Sequence, residues 1–194
     1  MPTDLAVRRA AFRRLHEGGC FVMPNPWDVG SARTLQHLGF PALATTSAGM
    51  AFSQGLPDGG VPRGDALEHV RTIAGAVEVP VNADFESGFA ADPAGVAESV
   101  RLCVATGVAG LSIEDATGDP GAPLFDLPVA VERLRAARAA IDASGTGVVL
   151  TARAECHLVN HPGPLRESIR RLEAYAAAGA DCLYAPGLRT SEAV

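Results

Sequence analysis

Carboxylates gather at the ends of apolar runs in this chain. Asp84 and Glu86 close the run Val-Asn-Ala-Asp-Phe-Glu, Glu114 and Asp115 close Leu-Ser-Ile-Glu-Asp, and Asp58 sits in a glycine-rich loop. Arg153 ends a further run, with Glu155 two residues on. Alternate residues of a strand share a face, so Asp84 and Glu86 are expected to project together. Unpaired carboxylates crowded there repel unless a cation lies between them. Oxygen donors favour Mg²⁺ or Mn²⁺ over zinc, and Mg²⁺ needs only one or two direct carboxylates while the others hold its waters. A plainer reading stands beside this one: Asp84 and Glu86 as partners of buried arginines, and Arg153 as a scaffold ion pair with Glu155 or Glu114. Glu114 and Asp115 point to opposite faces of a strand, so only one can face a site, and Asp115 is expected to contact a helix or loop.

None of the 194 residues is lysine, and every basic side chain is arginine. Schiff-base chemistry and a Walker-type phosphate loop both require a lysine. Cys20, Cys103, Cys156 and Cys182 are far apart and lack paired metal spacing, which predicts reduced thiols. His157 and His161 follow the fifth apolar run and could supply an acid near neutrality, or be ordinary surface residues. His16, His37 and His69 fall on helical patterns and read as structural. A net charge of -6 argues against a nucleic-acid surface. No apolar run reaches membrane-spanning length, and the start, Met-Pro-Thr-Asp followed by the Arg8–Arg14 stretch, lacks a signal-peptide core. The expectation is a soluble, cytoplasmic protein without nucleic-acid or membrane partners.

These groups need elements to hold them. With 47% hydrophobic residues, the chain suits one globular domain over residues 1–194. Apolar β-rich runs at Cys20–Met23, Ala42–Thr46, Val79–Ala83, Gly110–Ile113, Gly147–Thr151 and Cys182–Tyr184 alternate with helical patterns, the rhythm of a parallel sheet. The helical patterns lie near Ser31–Leu38, Gly64–Val77, Pro93–Ala105, Pro128–Ala143 and Pro164–Ala178, and an extra helix at Leu5–His16 precedes them. Prolines open the last three, and Gly39, Gly107 and Gly179 follow three runs as C-terminal caps. Every chemical group falls just after a strand. A (β/α)₈ barrel builds its site at that end, whereas a doubly wound sheet would use one switch point. The loops Ala48–Arg63 and Ala116–Pro128 are long for such connections and suit lids or binding loops.

Taken in order, Pro24-Asn25-Pro26-Trp27-Asp28, Thr45-Thr46-Ser47-Ala48-Gly49, Gly55-Leu56-Pro57-Asp58, Asn82-Ala83-Asp84-Phe85-Glu86-Ser87-Gly88, Ser112-Ile113-Glu114-Asp115, Thr151-Ala152-Arg153 and Ala178-Gly179-Ala180-Asp181 resemble the isocitrate lyase/phosphoenolpyruvate mutase superfamily. The resemblance runs over nearly the whole chain. It implies a barrel that binds Mg²⁺ and a small 2-oxo or 2-hydroxy acid and stabilises an enolate while a C–C or P–C bond is made or broken. It implies Asp84 as the direct metal ligand, with Asp58, Glu86 and Glu114 holding metal-bound waters. Arg153 would grip the carboxylate or oxo end of the substrate, and Thr46, Ser47 and Ala48 would form the binding loop for that end. Arg153 and Glu114 are the catalytic candidates. Trp27, near Pro24 and Pro26, is placed at the rim as a substrate contact or as packing.

The departures are as informative. Members that cleave isocitrate or methylisocitrate carry a cysteine on the gating loop after Glu114, and mutase-like members carry lysine and asparagine there. Ala116–Pro128 has none of these. The glutamate that lyase-type members often place after the proline of the sixth strand is absent from Tyr184-Ala185-Pro186-Gly187. The expectation is a lyase or decarboxylase, with a metal-dependent pyruvate aldolase or a catalytically silent family member as alternatives. Six strands are predicted where a closed barrel needs eight and typically about 250 residues. The chain therefore reads as a truncated product, an open crescent with unpaired edges near Phe21-Val22 and Cys182–Tyr184, and a homo-oligomer when full length.

Overall fold

The structure, a computed structural model, describes residues 4–190; residues 1–3 and 191–194, on which part of the reading of the chain's start and end rests, lie outside them. Helix α1 (Asp4–Leu15) and helix α2 (Val29–His37) precede strand β1 (Leu43–Ala44), helices α3 (Ser47–Ser53) and α4 (Arg63–Ala76), and strand β2 (Val81–Asp84). Helix α5 (Pro93–Val104), strand β3 (Gly110–Glu114), helix α6 (Leu127–Ser144), strand β4 (Val149–Arg153), helix α7 (Pro164–Ala177) and strand β5 (Cys182–Tyr184) follow. The strands are all parallel and lie in chain order, β1-β2-β3-β4-β5. This is the α/β arrangement of a (β/α)₈ barrel, of which the described residues form an arc.

Two elements differ from expectation. Cys20–Met23 does not form a strand: its neighbourhood gives β1 one backbone hydrogen bond, Ala44 N–H to Pro24 C=O, at 3.0 Å. Pro24 and Pro26 have no N–H, so a ladder cannot form there. Five strands, not six, are therefore present among the described residues. Within the stretch expected to be a loop, Ser47–Ser53 is helical, because Thr46 Oγ1 accepts from Gly49 N–H at 3.1 Å and caps α3.

Period-two alternation divides the sheet cleanly. Ala83, Leu111, Ile113, Leu150 and Ala152 point to the core under α4, α5, α6 and α7, with Val96, Val100, Leu134 and Ile141. Asn82, Asp84, Ser112, Glu114, Thr151 and Arg153 point to the other face. Gly39, Gly107 and Gly179 have φ of 88°, 98° and 99°, the left-handed conformation that stops a helix cheaply only at glycine.

Helix α1 closes the end of the arc opposite the carboxylates. Its Phe12 is buried against Ala42, Ala109 and Val149, residues at the starts of strands. Arg8 Nη1 donates to the carbonyls of Ala74 and Val77, and Arg9 donates to those of Val104 and Val108, satisfying acceptors that the ends of α4 and α5 leave unpaired. No described helix is long and apolar enough to cross a membrane.

Candidate active site

The strand C-termini and the loops after them enclose a cleft of about 940 Å³. Thr46, Ser47, Ala48, Asp58, Asp84, Glu86, Glu114 and Arg153 all line it. Trp27 does not: it stands half-exposed just before α2, and its Cβ faces Gly49 of α3 so closely that a methyl group there would approach it to 3.2 Å. The Asp28 capping box turns the chain into α2 at this point.

Arg153 is the centre of the charged cluster. Its Nη1 donates to Asp84 Oδ1 at 2.8 Å, its Nε donates to Glu155 Oε1 at 2.9 Å, and Nη2 lies 3.5 Å from Glu114 Oε2. The guanidinium carbon also stands 5.4 Å from the centre of the Tyr184 ring. Register explains the grouping: Glu114 pairs with Arg153 across β3 and β4, and Asp84 pairs with Ser112 across β2 and β3. Asp84 is held from its other side by Ser47, whose N–H and Oγ–H both donate to Oδ2, at 3.0 and 2.9 Å. Thr45 Oγ1 accepts from Asp84 N–H at 2.9 Å, a contact that no spacing in the sequence signalled.

Asp84 and Glu86 do not share a strand face, because β2 ends at Asp84. Glu86 adopts φ of 47° and reaches the cleft from a turn whose carbonyl accepts Glu114 N–H. Burial, then the charges of Asp84 and Asp58, raise the Glu86 carboxyl to about 7. Burial raises Glu114 to about 8; Arg153 opposes the shift, and Glu155, Asp84 and Glu86 add to it.

Five carboxylates and one guanidinium line the cleft, and carboxylate oxygens are the donor type a hard cation takes. Asp84 keeps lone pairs for such a role, since a carboxylate accepts about four hydrogen bonds and three are used. Among the described residues no group of three or more His, Cys, Asp or Glu side chains stands together as a metal-holding set.

Asp115 faces away from the cleft, as its parity with Glu114 predicts, and is buried. Its Oδ2 accepts from Tyr175 Oη at 2.6 Å and Arg171 Nη1 at 3.0 Å, and its Oδ1 accepts from Glu155 N–H at 2.8 Å. Burial, then the Asp115 charge, push the Tyr175 phenol far up, so it remains a donor. The sequence did carry a signal for this cluster: Glu167, Arg171 and Tyr175 recur at i, i+4 and i+8 along one face of α7. His157 and His161 do not line the cleft. The loop after Glu114 folds on itself, with an Ala116–Leu124 bridge and Thr117 Oγ1 donating to Ala122 C=O at 2.5 Å; of it, Ala116, Thr117 and Gly118 reach the cleft.

The sequence model of the phosphoenolpyruvate phosphomutase family matches residues 12–194. A Burkholderia cenocepacia J2315 protein provisionally assigned as a lyase/mutase superposes with a TM-score of 0.95 at 46% identity, over 98% of this chain and 69% of its own. The 2-methylisocitrate lyase of Escherichia coli K12 is 32% identical over 81% of this chain, and an oxaloacetate decarboxylase of Rhodopseudomonas palustris BisB5 is 30% identical over 94%. The chain spans 54% and 64% of the lengths of these two relatives. With the ordered motifs, the strand-end carboxylates and a match over all but the first residues, the chain belongs to the phosphoenolpyruvate phosphomutase family, within the isocitrate lyase/phosphoenolpyruvate mutase superfamily of lyases and mutases that act on small carboxylates.

Proposed function

We propose that this chain carries the binding half of a Mg²⁺- or Mn²⁺-dependent site that acts on a small 2-oxo carboxylate through an enolate, with decarboxylation as the reaction its residues suit best. The observation that carries this reading is that Arg153 lines the cleft among Asp84, Glu114 and Glu155. A guanidinium fixed by several carboxylates cannot swing away, so its remaining N–H groups are preorganised for the carboxylate or oxo oxygen of a substrate. A divalent cation bound by Asp84, with Asp58, Glu86 and Glu114 around it, would polarise the 2-oxo group.

Substrate orientation then follows from the chain's own groups. Arg153 takes one end of the acid, and the start of α3, with Ser47 beside Asp84, borders that end. In oxaloacetate the bond between C3 and the departing carboxylate breaks, CO₂ leaves, and the electron pair passes to the C2 oxygen as an enolate. Solvent at the open mouth returns a proton to C3, giving pyruvate. That route asks no acid of the loop 116–128, where Thr117 is the hydroxyl nearest the cleft and is already committed to Ala122. Cleavage of isocitrate or methylisocitrate asks for a proton donor on the gating loop, and residues 116–128 hold no cysteine, lysine or histidine to supply it.

The test is metal-dependent pyruvate release from a panel containing oxaloacetate, other 2-oxo acids and methylisocitrate, with isocitrate followed by glyoxylate release. Release from oxaloacetate that requires Mg²⁺ or Mn²⁺ and disappears in Asp84→Ala supports the reading. Isocitrate cleavage at about tens per second, ordinary for an enzyme, would refute it.

A further inference from the structure

We propose that Asp115, Tyr175 and Arg171 are positioning residues: from behind the sheet they set the pose of Arg153 and the base of the loop that follows Glu114. The proposal rests on the functional reading of Arg153 for its meaning in catalysis, and on geometry alone for its existence.

Asp115 is a joint between three segments. Its N–H donates to the Arg153 carbonyl at 3.3 Å, and its own carbonyl accepts Phe125 N–H at 2.9 Å, closing the loop 116–124 at its base. Its carboxylate accepts Glu155 N–H at 2.8 Å and so fixes the turn that begins at Glu155. The Glu155 side chain leaves that turn to hold Arg153 through Nε and Nη2, both at 2.9 Å. One buried carboxylate thus decides where Glu155 sits, and Glu155 decides where the guanidinium sits.

Tyr175 and Arg171 hold the joint itself. Both donate to Asp115 Oδ2, and Arg171 Nη1 also donates to the Phe125 carbonyl at 2.9 Å. Arg171 is steadied in turn by Glu167, which accepts from its Nε at 2.8 Å. All three central residues are buried, and none lines the cleft. A buried charge without its partners is strongly destabilising, so such a network keeps one arrangement where an apolar contact would allow several. Helix α7 therefore reaches the cleft by two hydrogen-bonded steps without touching a substrate.

The experiment uses the full 194-residue chain with Tyr175→Phe and Asp115→Asn. Two readouts need no activity: the exchange rate of the Glu155 amide against that of Leu111 at the centre of β3, and the Arg153 Nε–H resonance in ¹H–¹⁵N spectra, identified by its loss in Arg153→Lys. The expected result is Glu155 exchange faster by about tenfold or more in Asp115→Asn with Leu111 unchanged, and a displaced Arg153 resonance in both variants. Oxalate binding with Mn²⁺ present should weaken in parallel. Equal acceleration at Glu155 and Leu111, or an Arg153 resonance that stays in place while stability falls, would show a merely structural network and overturn the proposal. Should Asp115→Asn fail to fold, the Arg153 resonance of Tyr175→Phe decides alone. A parent chain that does not bind oxalate would count against the functional reading, while the exchange and resonance shifts still judge the relay.

Discussion

Arg153 Nη1 donates to Asp84 Oδ1 at 2.8 Å across the width of β3, so the guanidinium bridges two strands that are not neighbours. A lysine there would keep the charge but present one compact ammonium, unable to serve Asp84, Glu114 and Glu155 together. Arg153→Lys is expected to lower pyruvate release from oxaloacetate by about 100-fold or more. Steady-state assays of parent and variant check this, and a loss below tenfold would show that the fork geometry is not needed.

Metal binding should separate the carboxylates by role. Asp84→Ala is expected to abolish Mn²⁺ binding, since it removes the direct ligand the family pattern implies, while Asp58→Ala, at the exposed edge of the cleft, weakens it by about tenfold, as loss of a water-mediated contact does. Free Mn²⁺ measured by electron paramagnetic resonance during titration gives both constants. Parent-like affinity in Asp84→Ala would sink the assignment.

The sequence made the strand-end residues legible because period two is a strong constraint: once Ile113 and Leu111 are core, Ser112 and Glu114 must face the cleft. It failed where local backbone chemistry overrode pattern. The run at Phe21-Val22 has strand composition, yet the prolines beside it deny the N–H groups a ladder needs. The α3 segment reads as a glycine-bearing loop until Thr46 is seen capping it. Glu86 reaches the cleft, but not by strand parity, because the turn after Asp84 replaces the extended geometry that pattern alone assumes. The spacing of Glu167, Arg171 and Tyr175 marks one face of α7, but nothing in it names their partner Asp115, 56 residues from Arg171.

Gly110 opens β3 beneath α1, and a Cβ there would lie 2.5 Å from both Asn82 Oδ1 and Phe12 Cε1. Phe12 is fully buried and Asn82 nearly so, which leaves little room to yield. Gly110→Ala is expected to cost about 1–3 kcal/mol by overpacking. Urea denaturation followed by circular dichroism would measure it; an unchanged midpoint would mean that α1 moves freely off the strand ends.

Glu167 ties the first turn of α7 together, accepting from Arg170 Nε and Nη2 at 2.8 and 2.7 Å and from Arg171 Nε at 2.8 Å. The hydrogen bonds from Arg170 are the largest influence on its carboxyl; burial opposes them, those from Arg171 reinforce them, and the net result is about 2 in place of the ordinary 4.5. A negative charge in a first helical turn also faces the positive end of the helix dipole. Because the folded state then binds this proton less readily than the unfolded chain, the carboxylate's stabilisation is complete above about 4.5 and is lost as pH falls towards about 2. Glu167→Gln should therefore unfold at lower urea than the parent at about pH 6, with the two midpoints converging as pH is lowered through about 4 and 3. Midpoints that stay equally far apart down to pH 3 would show that the difference comes from lost packing rather than from the charge that Arg170 and Arg171 hold.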